Sequence, residues 1–384
     1  MSDRRSCDTP GVRARSGHRS GLQALILGIA ALVVLQLLLR EVLYRSYLPT
    51  RRAAWIWLAD AETPRGPVGF YAVRDFDVEA SPTEAILTTA TDEESLVFLN
   101  AVPIGGSRYG EGESLKSYDV TDVVEVGSNR LVVEARSSRG IGGLLLRLSI
   151  TGPGGDAEVL TNREWRLYPR AQDAVFDRAM ALPEGEAPKV WGPVPVGRWL
   201  VSSRAQMMPT IAELRTTDKA IPAQRFRSWV VPRRWRDLDK TDRSSPALGN
   251  WVTFDFGQVT TSYLALKFPA HTDTGDSPIG LLFLGDKPGI GDRYRADAYV
   301  IAMPGQRVWL AARPQRFRYA TFVGWVTVTG ADVYPVDRTR ADEIWSSPQT
   351  EIGPFGLPVA QSGPSLEDEV WRKLHELPGF AVGE

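Results

Sequence analysis

Apolar and polar positions alternate along NWVTFDFGQVTTSYLALKF, residues 250–268. Val252, Phe254 and Phe256 share one face, with Thr253 and Asp255 on the other. After Gly257-Gln258, Leu264, Leu266 and Phe268 alternate with Tyr263, Ala265 and Lys267. A period of two marks half-buried sheet, so this stretch predicts two short strands broken at Gly257-Gln258. The same pattern recurs upstream in PVGFYAVRDFDV, EAILTTATD, ESLVFLN, NRLVVEARS and GGLLLRLSIT. Leu131, Val133 and Ala135 share a face there, as do Leu144, Leu146, Leu148 and Ile150. Turn residues punctuate these runs at Asn100-Ala101, Gly105-Gly106, Gly127-Ser128-Asn129 and the GPGGD of 152–156. Many short strands with frequent turn chemistry predict an all-β fold of sandwich or jelly-roll type.

Two segments break the pattern. Residues 20–39, SGLQALILGIAALVVLQLLL, carry no charge. As a helix this run is about 30 Å long, the thickness of a bilayer core. A single-pass transmembrane helix is expected there, with a cleavable signal peptide as the rival, although no small-residue cleavage site follows. Arginines 4, 5, 13, 15 and 19 precede it, and the basic REVLYRSYLPTRR follows. The bias is small and favours an inner-membrane protein with an extracytoplasmic body. The second segment, SLEDEVWRKLHEL, places Leu366, Val370, Leu374 and Leu377 on one helical face. Ser365 and Asp368 form a capping box at its start. This helix either docks on its own sheet or binds an envelope protein partner.

The predicted organisation is a basic tail (1–19), the membrane helix (20–39), a juxtamembrane stalk (40–54), a jelly roll (55–182), a Pro/Gly linker (183–196), a second β-sandwich (197–336) and a tail (337–384). Composition changes this picture little. The formal net charge of -1 gives the chain no general attraction to nucleic acid. One cysteine, Cys7, excludes an intramolecular disulfide.

ESLVFLNAVPIGG followed by YDVTDVVEVGSNRLVVEA resembles the galactose-binding-type jelly roll found in front of many glycoside hydrolases. VTFDFGQVTTSYLALKF and the later RYRADAYVIAMPGQRVWLAARPQRFRYATFVG resemble stretches of α-L-rhamnosidase-like proteins, in the same order and spacing. The resemblance covers about residues 55–334. Asn100 and Asn129 stand where that pattern shapes turns. Ala101 and Ser262 stand where it usually has glycine. In the α-L-rhamnosidases such β domains precede an (α/α)6 barrel that carries the catalytic carboxylates. Only about forty residues follow VDRTRADEIWSS, so that barrel is expected to be absent, and no catalytic residue is carried over.

No recognisable acid/base context surrounds the Asp and Glu residues. His18, His271 and His375 have no metal-ligand spacing, and no G-x-S-x-G elbow is present. No cofactor is expected. The alternative is a structural Ca2+ at Asp92-Glu93-Glu94, a stretch otherwise read as a solvated turn, and no motif supports such a site. The mixed Arg and Trp run PRRWRD at 232–237 reads as a loop, with acidic-glycan binding as its alternative. Sugar sites on β-sandwiches use an aromatic platform with nearby polar groups. The candidates are Trp165, Tyr168 and Trp191, with Arg163 and Arg166 beside Trp165 on the same strand, and the alternative for Trp165 is packing under the linker. The expected function is non-catalytic glycan recognition at the cell surface. The alternatives are a structural module of an envelope assembly without sugar affinity, and a rhamnosidase-type component that needs a separate catalytic chain.

Overall fold

The computed structural model describes residues 17–46, 48–59, 67–109, 115–138, 140, 142–194, 205–226, 250–269, 279–289, 296–324 and 327–346. The expected helix over 365–377, the run at 232–237, Cys7, His271 and His375 lie outside the described residues. The chain divides into two compact units, Met1–Arg51 and Arg52–Glu384.

The first unit is built on one helix, α1 (Gly17–Ser46), which contains the uncharged run. Its described side chains from Leu25 to Leu39 include eleven large apolar ones, each at least 49% exposed. Among the described residues, whose side chains in α1 cover 23–39 and 42, no helix is long and apolar enough to cross a membrane.

In the second unit the strands run in chain order. The first eight are β1 (Ala54–Trp57), β2 (Val68–Val78), β3 (Glu84–Thr91), β4 (Glu93–Leu99), β5 (Val102–Tyr109), β6 (Leu115–Asp119), β7 (Gly127–Ser137) and β8 (Leu144–Thr151). Then come β9 (Ala157–Leu160), β10 (Arg166–Tyr168), the short α2 (Asp173–Phe176), β11 (Lys189–Pro193), β12 (Ala205–Met208) and the short α3 (Ile211–Leu214). The remainder is β13 (Ile221–Pro222), β14 (Gln224–Phe226), β15 (Asn250–Lys267), β16 (Ile279–Gly285), β17 (Ala298–Ile301), β18 (Val308–Leu310), β19 (Gln315–Gly324), β20 (Gly330–Pro335) and α4 (Arg338–Ser346).

Two sheets face each other in the first sandwich. One has the order β11-β1-β8-β3-β6-β12 with β9 beside β8, and the other is β10-β2-β7-β4-β5. Alternation explains the core between them. Leu144, Leu146, Leu148 and Ile150 of β8 meet Leu131, Val133 and Ala135 of β7 and Phe70 and Ala72 of β2 in one buried cluster. Each buried Leu, Ile, Val or Phe side chain among them stabilises the fold by roughly 1.5–3 kcal/mol. Trp57 meets Phe70 edge to face at 4.7 Å. Residues 189–193, within the expected linker, pair antiparallel with β1. β12, expected in the second sandwich, pairs in parallel with β6 of the first. No local pattern signals such a partner, because parallel pairing joins segments far apart in the chain.

The remaining eight strands form one sheet, β13-β20-β15-β19-β16-β17, with β14 and β18 also on β15. The alternating stretch Asn250–Lys267 is a single 18-residue strand, not two. Its first half pairs with β19, with a register shift between Asp255 and Thr260. Its second half pairs with β20 and β18. Gly257 sits at φ +80, in the shifted segment, where a side chain would be strained. Val252, Phe254 and Phe256 join Leu264, Leu266 and Phe268 in one core, so the sheet wraps around itself.

The two sandwiches pack closely. A Cβ on Gly106 of β5 would lie 2.3 Å from the Ala312 carbonyl, so only glycine allows this approach. The outer face of the five-stranded sheet carries Tyr71, Val73 and Val132, packed with Met303, and Leu96, packed with Tyr263 and Val336. That face is therefore covered, not solvated.

Candidate functional site

The covered face leaves a cleft of about 790 Å³ between the two sandwiches. This lies in the range of about 300–1,000 Å³ typical of ligand sites. From the first sandwich come Tyr71 of β2, Phe98 of β4 and Glu134 of β7, with Asp173 and Phe176 of α2. From the second come Tyr263 and Ala265 of β15, Leu310 of β18 and Tyr334 of β20. Alternation places them. Each strand sends its core residues one way, so the neighbouring positions Tyr71, Phe98, Glu134 and Tyr263 point the other way, into the gap. Ile211 of α3 and Arg215 complete that side. A reciprocal capping box fixes α3: Thr210 Oγ1 accepts from the Glu213 amide, and the Thr210 amide donates to Glu213 Oε2 at 2.7 Å.

Phe176 meets both Tyr71 and Phe98 edge to face at 5.1 Å, which fixes the aromatic wall. Tyr71 and Glu134 are direct cross-strand partners. Glu134 Oε1 accepts from Arg136 Nε at 2.8 Å and from Gln306 Nε2 at 3.0 Å, and lies 2.6 Å from Arg136 Nη2. The guanidinium of Arg136 also donates to Glu94 Oε2 at 2.9 Å and to the Leu310 carbonyl at 2.8 Å, and lies 4.7 Å from the Trp309 ring centre. Gln306 Oε1 accepts from the Met303 amide at 2.9 Å. Gly305, at φ +79, brings this loop against Ala171, whose carbonyl would lie 3.0 Å from an added Cβ. The 303–310 segment is thus pinned to the first sandwich along one side of the cleft.

Tyr71 and Tyr263 are each 2% exposed. Neither hydroxyl has a hydrogen-bond partner among the described residues, and neither is among the buried unpaired polar atoms, so both oxygens open onto the cleft. Burial pushes both phenols well above their ordinary range, with the Glu134 carboxylate adding to the effect on Tyr71. Both therefore remain neutral O–H groups at physiological pH, able to donate and to accept. Two such hydroxyls on one cleft offer hydrogen bonds to a polar ligand.

No protein-family model matches the chain, and the search of curated proteins finds no match. Solved structures resemble it at low identity. An α-L-rhamnosidase from Aspergillus terreus aligns at 14% identity and TM-score 0.44, over 75% of this chain and 36% of that one. One from Dictyoglumus thermophilum aligns at 12% and 0.41, over 74% and 35%. A lectin from Pleurotus ostreatus in complex with GalNAc aligns at 14% and 0.33, over 74% and 76%. The chain spans about a third of the length of these two α-L-rhamnosidases.

The residues singled out from sequence lie away from the cleft. Trp165 is fully buried in the first core, its Nε1 donating to the Leu160 carbonyl at 2.9 Å, so its ring offers no face to a sugar. Tyr168 is 2% exposed and donates to the Pro183 carbonyl at 3.0 Å. Arg163 and Arg166 are exposed, and Arg166 Nη1 donates to the Trp165 carbonyl at 3.0 Å. Trp191 is half-buried beneath Lys189, whose ammonium lies 4.3 Å from the ring centre. Asp92-Glu93-Glu94 is not a solvated turn. Asp92 is buried, Glu93 accepts from Ser138 Oγ at 2.8 Å, and Glu94 pairs with Arg136. Among the described residues no group of three or more His, Cys, Asp or Glu is placed to hold a metal ion.

Sequence reasoning missed Tyr71, Glu134, Tyr263 and Gln306. A signal was present. GFYAV, SLVFL and LVVEA are near-continuous apolar runs, the mark of a sheet buried on both faces.

Proposed function

We propose that this chain is a non-catalytic carbohydrate-recognition protein whose ligand occupies the cleft between the two sandwiches. One observation carries the reading: Tyr71 and Tyr263, from different sandwiches, each bring a hydroxyl with no partner among the described residues to the same cleft. A sugar offers several hydroxyls on an apolar ring frame. It would satisfy both phenols while its ring packs on half-buried Phe98, Phe176 and Tyr334. Glu134 is the carboxylate nearest this role, and its Oε1 is already committed to Arg136 and Gln306. That arrangement suits orientation of a ligand better than proton transfer.

Tethering to an inner membrane through residues 20–39, with the body on the extracytoplasmic side, belongs to the same proposal. It is supported by the uncharged run and by the exposed apolar side chains of α1. Glycan-array binding by the 384-residue chain, lost in a Tyr71→Phe/Tyr263→Phe double variant that keeps its melting temperature, is the expected result. Co-purification with envelope proteins and no glycan signal would favour the interaction-module reading instead. Protease accessibility in sealed vesicles decides the side on which the body lies.

A further inference from the structure

The cleft's charges point to one class of saccharide, an inference that rests on the reading above. Glu134 is paired with Arg136, whose one guanidinium also holds Glu94. At the mouth, Glu125 pairs with Arg178 at 2.5 Å. Arg215 lies 4.5 Å from the Tyr334 ring centre and spends its Nη2 and Nε on the carbonyls of Asp218 and Thr217. Asp177 Oδ1 accepts from the Ala179 amide at 2.9 Å. Arg307 and Asp173 remain, both exposed and of opposite sign.

Burying an ionic group is favourable only beside a desolvated counter-charge with its own hydrogen bonds. A uronate entering the cleft meets no uncommitted buried cation among these lining residues. At depth an amino sugar meets only Glu134, already held by Arg136 and Gln306, the other lining carboxylates Glu125, Asp173 and Asp177 being exposed. The unspent groups at depth are the neutral hydroxyls of Tyr71 and Tyr263. We propose that the cleft selects an uncharged saccharide, bound by both sandwiches at once, and discriminates against uronate- and amino-sugar-containing ones.

The experiment is calorimetric titration of the 384-residue chain with neutral, uronate-containing and amino-sugar-containing oligosaccharides of about two to four units, matched in size to the cleft. Each is repeated at about 50 and about 500 mM NaCl, where exposed charges are screened to different extents. Neutral oligosaccharides are expected to bind with less than about a twofold change between the salts. Tyr71→Phe and Tyr263→Phe are each expected to weaken that binding roughly three- to tenfold, the effect of one neutral hydrogen bond. Tighter binding of a charged oligosaccharide, with affinity falling as salt rises, overturns the charge selection while leaving glycan recognition standing. Absence of binding by every oligosaccharide overturns the glycan reading and the selection together. Loss of binding in only one tyrosine variant overturns the two-sided grip.

Discussion

Arg136 of the first sandwich donates from Nη2 to the carbonyl of Leu310 in the second, at 2.8 Å. The same guanidinium holds Glu134 and Glu94, and it is 1% exposed. It joins the sandwiches from behind the cleft. Arg136→Met would strand Glu134 in a buried site without its counter-charge. Breaking a buried pair in this way costs about 3–5 kcal/mol. Urea unfolding should show that loss, with a smaller one for Arg136→Lys, which keeps the charge but not the planar fork.

The two tyrosines should behave oppositely. Removing a hydroxyl that has no partner in the protein breaks no internal hydrogen bond. Tyr71→Phe and Tyr263→Phe should leave the unliganded chain as stable as before, or more stable by up to about 1 kcal/mol. A thermal melt without ligand checks this. A loss of more than about 2 kcal/mol would mean that the hydroxyl is already satisfied within the protein.

The β4–β5 hairpin turns through Asn100 at φ +51 and Ala101 at φ +66. Two successive left-handed residues make the turn that matches strand twist, and alanine is strained there. Ala101→Gly should stabilise by about 0.5–1 kcal/mol, the strain relieved less the added chain entropy. Asn100 Nδ2 donates to the Val123 carbonyl and to Asn129 Oδ1, and its Oδ1 accepts from the Arg130 amide. Asn100→Ala should therefore cost about 2 kcal/mol. Equilibrium denaturation of the two variants tests both signs.

Asp255 is held below the ordinary carboxylate range, chiefly by its hydrogen bonds to Arg318, aided by the Gly257 amide and opposed by partial burial. Its folded pKa lies below its unfolded value of about 3.9. The stabilisation is thus fully present above about pH 4 and is lost as the pH falls through the folded value. Unfolding midpoints across the acid range should drop less steeply in Asp255→Asn than in the parent.

Much of the sandwich framework is written in the chain. The alternation of Val252, Phe254 and Phe256, and of Leu131, Val133 and Ala135, names core residues that the structure buries. The turn at Asn100-Ala101 is also local and also present. These features were readable because each depends on the backbone geometry of a few adjacent residues. Local pattern tells which face of a strand avoids water, but not what covers it. From sequence Trp165 is either a sugar platform or a side chain packed under the linker, because its spacing cannot reveal the core above it. Gln306 and Glu134 meet across 172 positions, and Tyr71 and Tyr263 share a cleft only because the second sandwich lies on the outer face of the first. The sequence by itself determined strands, turns and the inner cores through short-range periodicity. Only tertiary packing decided the ligand cleft, because it is made where faces from distant segments meet and leave a gap.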